Sequence, residues 1–212
     1  MKVVFQGQLE WENKPHAEKE LGRRMRDACL NLGLESLSTS NITEIENFNP
    51  DIVFPLHHFT PKLFDAYTIG CMWNPIKDVE NSSSANLMHT FENIKSYDAC
   101  AIASPNIERY LDNLFFKSPV FRSKYTIYPS ANKSDFSPIK EFNKIAYVGS
   151  NWQGDRHKEI FLNTDKIGVY GPSKSWEYLK KQTSNYYGEV SFNKSSILNI
   201  YKKSGIGLCF HA

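Results

Sequence analysis

The sequence lacks the long apolar runs that mark membrane and secreted proteins. No stretch approaches the roughly 20 apolar residues that a membrane-spanning helix requires. The N-terminus, MKVVFQGQLEW, has one lysine and a short apolar run, which is less than a secretory signal needs. These absences predict a soluble, cytoplasmic protein with no transmembrane segment.

Paired cysteines and a strong excess of one charge are also missing. The four cysteines form no CxxC pair, so the sequence predicts free thiols in apolar surroundings and no zinc site. The formal net charge of +2 is too small to indicate binding to nucleic acid or to an anionic membrane. What remains is an ordinary globular composition, with 41% hydrophobic and 14% aromatic residues in a chain of 212.

Short apolar runs alternate with helical patterns along the whole chain. The first run, Lys2–Phe5, ends near Gly7, and apolar residues then follow at helical spacing from His16 to Leu32. Thr60 and Pro61 have the order of a helix cap and a first helical residue. This alternation predicts an α/β fold with mostly parallel sheets covered on both faces. Further strands are predicted at 52–56, 68–73, 97–103, 125–128, 145–149, 167–170, 187–190 and 206–210, and further helices at 105–116, 156–162, 176–182 and 195–203.

The stretch PSANKSDFSP has the composition of a linker, and the alternation of strands and helices restarts behind it at Lys144. We therefore predict a first Rossmann-like lobe over 1–130, a hinge over 131–143 and a second lobe over 144–212. The last apolar run, GIGLCF, is followed by only two residues, whereas a buried parallel strand normally feeds a covering helix. The second lobe is therefore expected to be incomplete.

Ligands of open α/β sheets bind beyond the carboxyl ends of the strands, which directs attention to the strand ends. In KIAYVGSNWQGDRHKEIF a strand ends at Gly149, a polar turn with Asn151 follows, and Arg156 and Lys158 begin a helix. Amides at a helix start, together with a guanidinium and an ammonium group, suit a diphosphate. The alternative is an ordinary β–α turn with a solvated basic face, and neither GxxxxGK[ST] nor GxGxxG occurs.

In the first lobe, polar and aromatic residues follow three predicted strands. His57 and His58 come directly after the strand at 52–56, where a histidine can act as a base, hold a hydroxyl or phosphate, or simply pack. An aromatic face with amide and carboxylate groups is a common sugar-binding set. The residues of this kind that we predict to bind the acceptor are Gly7, Glu10, Trp11, Trp73, Asn74 and Asp78.

Several of these segments together resemble a known family. YVGSNWQGDRHKEIF, VYGPSKSW and YYGEVSFNKSSILNIYKKSGIGLCFH resemble the C-terminal lobe of GT-B glycosyltransferases, in the bacterial group related to the spore-maturation glycosyltransferases. The family pattern Y.G....Y..S.I.L..H is matched by Tyr187, Gly188, Tyr201, Ser204, Ile206, Leu208 and His211. In the first lobe PDIVFPLHHF resembles the family's strand ending in histidine, and YPSANKSDFSP resembles its interlobe hinge.

The resemblance implies a nucleotide-diphosphate sugar donor as co-substrate, bound mainly by the second lobe. By position, Gly149, Asn151 and Arg156 would meet the diphosphate. The nucleotide would lie near Gly171 and Pro172, and His211 would border the donor pocket. The family's next stretch, whose glutamate holds the donor ribose, is not among these 212 residues, which again predicts a second lobe truncated relative to the family.

Three functions follow as alternatives. The first is transfer of a sugar to an acceptor hydroxyl of a carbohydrate, lipid-linked or protein acceptor. Because no DxD motif is present, arginine and helix amides would then neutralise the diphosphate without a metal ion or further cofactor. The second is a truncated, inactive paralogue that retains the fold and weak nucleotide binding. The third is a sugar-nucleotide epimerase on the same fold.

An unprotected GIGLCF strand also predicts self-association through the second lobe.

Overall fold

The computed structural model describes residues 1–8, 17–74, 77, 80, 83–115, 124–126, 144–151, 158–191 and 193–208. In the first half of the chain the elements are β1 (Lys2–Gln6), α1 (Ala17–Asn31), β2 (Glu35–Thr39), α2 (Ile42–Phe48), β3 (Ile52–Pro55), β4 (Tyr67–Met72), α3 (Ser84–Ser96), β5 (Ala99–Ile102), α4 (Pro105–Phe115) and β6 (Lys124–Thr126). In the second half they are β7 (Lys144–Val148), α5 (Lys158–Leu162), β8 (Ile167–Tyr170), a 3₁₀ turn (Ser173–Trp176), α6 (Glu177–Gln182), β9 (Tyr186–Gly188), α7 (Lys194–Ser204) and β10 (Gly205–Leu208).

The chain divides into two compact units, Met1–Ser130 and Ala131–Ala212, each with its own parallel sheet. The predicted hinge, 131–143, lies outside the described residues. The predicted α/β class with mostly parallel, Rossmann-like sheets is confirmed. Within the described residues, no helix is long and apolar enough to cross a membrane.

The first unit contains a six-stranded sheet in the order β2-β1-β3-β4-β5-β6. Alternate residues of β1 face opposite sides, as the pleat of a strand requires. Phe5 packs with Met25 and Cys29 of α1, whereas Val4 packs with Ile45 of α2 on the other face. The chain therefore winds away from β1 in both directions, which places a topological switch point between β1 and β3.

Toward the end of the sheet away from β2, strands β4 and β5 pack against α3 and α4. Their shared core contains Met72, Ile94, Tyr97, Cys100, Ile102, Ile107 and Leu111. Burial raises the pKa of the Cys71 thiol, and it raises the pKa of the Cys100 thiol to about 12, so both stay protonated at neutral pH. Cys29, Cys71 and Cys100 are free, as predicted, and Cys209 lies outside the described residues.

The second unit contains a four-stranded sheet in the order β10-β7-β8-β9. The chain steps from β7 to β8 to β9 and then returns past β7 to β10, so this switch point lies between β7 and β10. Phe161 of α5, Trp176 of the 3₁₀ turn and Leu179 of α6 form a core with Val169 of β8. On α7, Tyr201 lies so close to β10 that a Cβ at residue 207 would be 2.9 Å from its ring.

One sequence prediction about elements is wrong, and three elements were not predicted. No helix begins at Thr60–Pro61, where the chain instead forms turns before β4. Between Gly33 and Asn49, where no element was predicted, the chain forms β2 and α2. The helix α3 was also missed, because the polar run at its start resembles a loop. Ser83 caps α3 by accepting a hydrogen bond from the amide of Asn86 at 3.3 Å.

Gly70 allows β4 to lie directly against an aromatic ring, which makes it a sensitive position. A Cβ there would be 2.1 Å from Tyr97 Cδ2, and the ring is held because Tyr97 Oη donates to the carbonyl of Thr60 at 2.5 Å. We expect Gly70→Ala to lower the free energy of unfolding by about 1–3 kcal/mol, the cost of overpacking a core. Denaturant unfolding followed by circular dichroism measures this loss.

The matched control is Gly7→Ala, because a Cβ at residue 7 meets its nearest neighbour, Ser40 Cβ, at an ordinary 3.7 Å. We expect that variant to unfold at the wild-type denaturant concentration or above it. Equal stability of the Gly70 and Gly7 variants would show that the Tyr97 ring is free to move, contrary to the packing described above.

Candidate functional site

The carboxyl edge of the first sheet holds a cavity of about 210 Å³ beside the switch point. It is formed where the ends of β1, β2 and β3 meet the first turn of α1, because parallel strands bring their carboxyl ends to one edge. Its described lining residues are Gly7, Gln8, Lys19, Ser38, Thr39, Ser40 and Leu56. Of the residues predicted from the sequence to bind the acceptor, Gly7 lies in this wall.

His57 connects the cavity wall to the next strand end. The residue is 4% exposed, and its Nδ1 is 3.1 Å from Gln8 Nε2 and 3.2 Å from the backbone nitrogen of Phe59. A backbone N–H can only donate, so Nδ1 accepts and the proton of the neutral ring lies on Nε2. Asn74 Nδ2 lies 3.5 Å from His57 Nε2. When the side-chain amide of Asn74 is turned by 180°, its Oδ1 takes that position and accepts a hydrogen bond from the ring N–H.

His58 is placed differently from its neighbour. The residue is 2% exposed. Its ring stacks on that of His57 with centroids 4.1 Å apart, and its Nδ1 has no hydrogen-bond partner among the described residues. Burial lowers the pKa of His58 to about 4, so the ring is neutral and weakly basic at neutral pH. Its backbone carbonyl accepts from Asn93 of α3 at 3.1 Å, which ties this turn to the body of the unit.

Of the other residues predicted to bind the acceptor, the structure describes Trp73 and Asn74. Trp73 is half-buried against the core, and its Nε1 donates to the carbonyl of Leu56 at 3.0 Å. The indole therefore joins the ends of β3 and β4, and its N–H is already used. Glu10, Trp11 and Asp78 lie outside the described residues.

In the second unit, Gly149 and Gly171 pass each other at the carboxyl edge of the sheet. A Cβ at Gly171 would lie 2.0 Å from the Gly149 carbonyl oxygen, and that oxygen accepts from Trp176 Nε1 at 2.9 Å. The carbonyl of Gly171 accepts from Tyr186 Oη at 2.9 Å. Glycine is required at 171 by this approach of two backbones, which is a structural reason independent of any ligand.

The polar groups near these glycines are partly occupied within the protein. After Pro172, the backbone N–H of Ser173 donates to the Glu189 carboxylate at 2.9 Å. The Lys158 ammonium lies over the Tyr178 ring, 5.3 Å from its centroid. Asn151 is half-buried in the turn after β7. Arg156 and His211, which follow β7 and β10 in the sequence, lie outside the described residues.

Sequence reasoning missed most of the cavity wall. Ser38 and Ser40 were not singled out, because β2 was not recognised and its polar sequence SLSTS resembles a loop. Lys19 was not singled out because it is one of several polar residues of α1. The hydroxyl-rich end of that segment was the signal that could have indicated the site. Gln6, the last residue of β1, is buried, and its Oε1 has no partner among the described residues.

The described residues contain no group of three or more His, Cys, Asp or Glu side chains arranged to hold a metal ion. No protein-family model matches the sequence, and no curated protein is significantly similar to it. The class defined by the fold is an α/β protein with two parallel, Rossmann-like sheets, each with a switch point at its carboxyl edge.

The buried His58 makes stability depend on pH. Its pKa rises from about 4 in the folded protein to the ordinary 6.5 when the chain unfolds, so the unfolded state binds more protons between these values. Stability contributed by the neutral ring is therefore present above pH 6.5 and is lost as the pH falls toward 4. We expect the free energy of unfolding to drop by about 2 kcal/mol between pH 7.5 and pH 5 from this group alone.

Urea unfolding at several pH values measures the drop, and His58→Phe is the variant that removes the titrating group while keeping a ring. Its stability should fall less over the same pH range, whatever its absolute value at pH 7.5. Parallel curves for wild type and variant would show that His58 titrates normally in the folded protein.

Proposed function

We propose that the chain is a glycosyltransferase of the GT-B type, which transfers a sugar from a nucleotide-diphosphate donor to an acceptor hydroxyl. The observation that carries the proposal is the presence of two parallel, doubly wound units in one chain, each with a switch point at its carboxyl edge. Switch points are where α/β proteins bind nucleotides and small substrates. This architecture agrees with what the sequence resemblance implies.

The donor is assigned to the second unit. The switch point lies between β7 and β10, and the segments that follow these two strands contain Arg156 and His211. We assign the diphosphate to the turn after β7, where Gly149, Asn151 and Arg156 supply backbone and guanidinium donors, with Lys158 beside them. These donors would stabilise the charge that develops on the departing diphosphate.

Glu189 supports this division of roles within the donor site. Its carboxylate accepts a hydrogen bond from the backbone N–H of Ser173, the first amide after Pro172. The carboxylate therefore occupies the place where a phosphate would otherwise bind, and its negative charge repels a phosphate. The turn at Gly171 and Pro172 is therefore better suited to the neutral part of a nucleotide than to its diphosphate. The sequence resemblance implies the same location.

The acceptor is assigned to the cavity and strand ends of the first unit. Between the two histidines, the geometry favours His57, because it contacts Gln8 of the cavity wall and Asn74 of the next strand end. With its proton on Nε2, His57 is set to donate a hydrogen bond to an oxygen of the acceptor. Its Nδ1 lone pair is already engaged by a backbone N–H, so abstraction of a proton at that atom is disfavoured.

The donor assignment is tested by Arg156→Ala. We expect the variant to bind uridine diphosphate, or whichever of the guanosine, thymidine and adenosine diphosphates binds the wild type best, more weakly by about 1.5–3 kcal/mol. This is the size of a charge-assisted hydrogen bond and corresponds to roughly a 10- to 150-fold rise in Kd. Isothermal titration calorimetry measures the difference.

Arg26→Ala is the matched control, because that guanidinium is paired with Asp27 in the first unit. Its affinity for the nucleotide should equal that of the wild type. Equal binding by the Arg156 and Arg26 variants would overturn the assignment of the diphosphate to the turn after β7.

Turnover separates the three functions. A glycosyltransferase releases nucleoside diphosphate from a sugar nucleotide faster when an acceptor is added. Nucleotide binding without any release favours an inactive paralogue, and a change in the configuration of the donor sugar without release favours an epimerase.

Self-association through the edge strand β10, where Ile206 is exposed, stays a prediction.

A further inference from the structure

The second sheet has the strand order of a nucleotide-binding fold. Counted along the chain from β7, its strands lie in the order 3-2-1-4, as in the first four strands of the doubly wound fold that binds dinucleotides. In that fold the turn after the first strand receives the pyrophosphate, and a carboxylate at the end of the next strand hydrogen-bonds the ribose 2′-hydroxyl. Here the first strand is β7 and the next is β8, so a ribose carboxylate is expected in the turn after Tyr170.

This turn has no acidic residue of its own, and the neighbouring strand end supplies one. Residues 171–176, which follow β8, contain neither Asp nor Glu. Glu189 directly follows β9, and its side chain is exposed. Glu189 Oε1 accepts a hydrogen bond from the backbone N–H of Ser173 at 2.9 Å, across 16 residues of sequence. A carboxylate from the third strand therefore lies at the end of the second.

The backbone holds this carboxylate in place. The N–H of Gly171 donates to the carbonyl of Gly188 at 3.1 Å, which joins the turn after β8 to the end of β9. Gly188 has a φ of +112°, a conformation that L side chains rarely adopt, and it redirects the chain immediately before Glu189. Because these contacts fix Glu189 without a ligand, binding to its carboxylate requires little ordering of the protein.

Glu189 also keeps hydrogen-bonding capacity for a ligand. Its Oε2 makes no hydrogen bond to a described residue, and a carboxylate has about four lone-pair sites, all of them acceptors. The hydroxyl of Tyr186 lies nearby and donates to the Gly171 carbonyl at 2.9 Å. Desolvation and then the charge of Glu189 raise the pKa of Tyr186, so the phenol stays neutral beside the carboxylate. The carboxylate can therefore accept from two neighbouring hydroxyls while keeping its bond to Ser173.

The spacing of the strands fits a nucleoside diphosphate. Neighbouring strands lie about 4.8 Å apart, so the turn after β8 is one spacing from the turn after β7, and the end of β9 is two spacings away. The Glu189 carboxylate, which reaches back to Ser173, is therefore roughly 5–10 Å from the turn after β7. In a nucleoside diphosphate the ribose is bonded directly to the diphosphate, so its hydroxyls fall within this range.

We propose that Glu189 is the ribose-binding residue of the second unit and accepts hydrogen bonds from the 2′- and 3′-hydroxyls of a bound nucleoside diphosphate. The site then selects ribonucleotides over 2′-deoxyribonucleotides. This inference rests on the nucleotide binding proposed above for the second unit, and it does not depend on sugar transfer.

The test compares uridine, guanosine and adenosine diphosphates with their 2′-deoxy counterparts, by isothermal titration calorimetry on the full chain. We expect the ribonucleotide that binds best to bind about 10- to 100-fold more tightly than its 2′-deoxy counterpart, which corresponds to one hydrogen bond to a charged group. Glu189→Ala should bring this ratio of affinities to about 1. The matched control is Glu177→Ala, which removes a carboxylate of α6 paired with Lys181 and should keep the wild-type ratio.

The ratio is the readout because a purely structural role of Glu189 would not change it. If the carboxylate only held the turn through the N–H of Ser173, its removal would weaken both nucleotides equally. If Glu189→Ala gives an unfolded spectrum, Glu189→Gln takes its place, since it keeps an acceptor for Ser173, and it should also lower the ratio. In the ¹⁵N-labelled wild type, the amide signal of Ser173 should shift more with the ribonucleotide than with its 2′-deoxy counterpart.

The possible outcomes distinguish this inference from the proposed function. Equal affinity for the two forms, tightest binding of thymidine diphosphate, which lacks the 2′-hydroxyl, or a wild-type ratio in Glu189→Ala would overturn the role of Glu189 and leave nucleotide binding by the second unit in place. The expected ratio without release of nucleoside diphosphate from any sugar nucleotide would support the role of Glu189 and count against glycosyl transfer. Binding of none of these nucleotides would overturn both.

Discussion

The parallel pairing of β1 with strands on both of its sides determines where the side chains of the first unit can meet. Gln6 is in register with Thr39 of β2 on one side and with Pro55 of β3 on the other, so three chain segments leave the sheet at one level. From there Gly7 and Gln8, Ser40, and His57 follow within two residues of their strands. The cavity and the contact between Gln8 and His57 are consequences of that register. A slip of one residue would turn each strand-end side chain to the opposite face.

The same constraint acts in the second unit, but there the backbone itself fills the edge. In register, Val148 of β7 lies beside Tyr170 of β8, so Gly149 and Gly171 emerge together and touch. Trp176 then closes over the Gly149 carbonyl from the helical side. The two glycines that the sequence analysis assigned to a ligand therefore also have a packing role, and a loss of function on replacing Gly171 would not distinguish between the two.

The parts of the fold that were predictable are those with a strong apolar signal. β1, β3, β4, β7 and β8 are short apolar runs, and the long helix α1 has apolar residues at helical spacing. β2 was missed because ESLST is a polar strand at the edge of the sheet, with none of its residues fully buried. α2 is too short for a clear period and depends on its cap, in which Asn41 Oδ1 accepts from the amides of Thr43 and Glu44.

The site was predictable to the same degree and for the same reason. Strand ends that were recognised led to Gly7, His57 and Asn74, which the structure places at one edge of the sheet. Ser38 and Ser40 were not predicted because β2, the strand that carries them to the edge, was not recognised. Lys19 is one of many polar residues of α1, and nothing in the sequence distinguishes it from the others. The difference between His57 and His58 follows from backbone and side-chain neighbours such as Phe59 and Asn74, which no pattern of residue types contains.

We propose that the carboxyl edges of the two sheets, at their switch points, are the binding surfaces of this protein. The most direct measurement is the set of amide chemical-shift changes when uridine diphosphate and the guanosine, thymidine and adenosine diphosphates are added to the ¹⁵N-labelled chain. We expect one of these nucleotides to shift the amide signals of Gly149, Ser150 and Gly171. The signals of Lys144 and Lys166, at the opposite edge of the same sheet, should not move. Shifts at the opposite edge, or none with any of the four nucleotides, would contradict it.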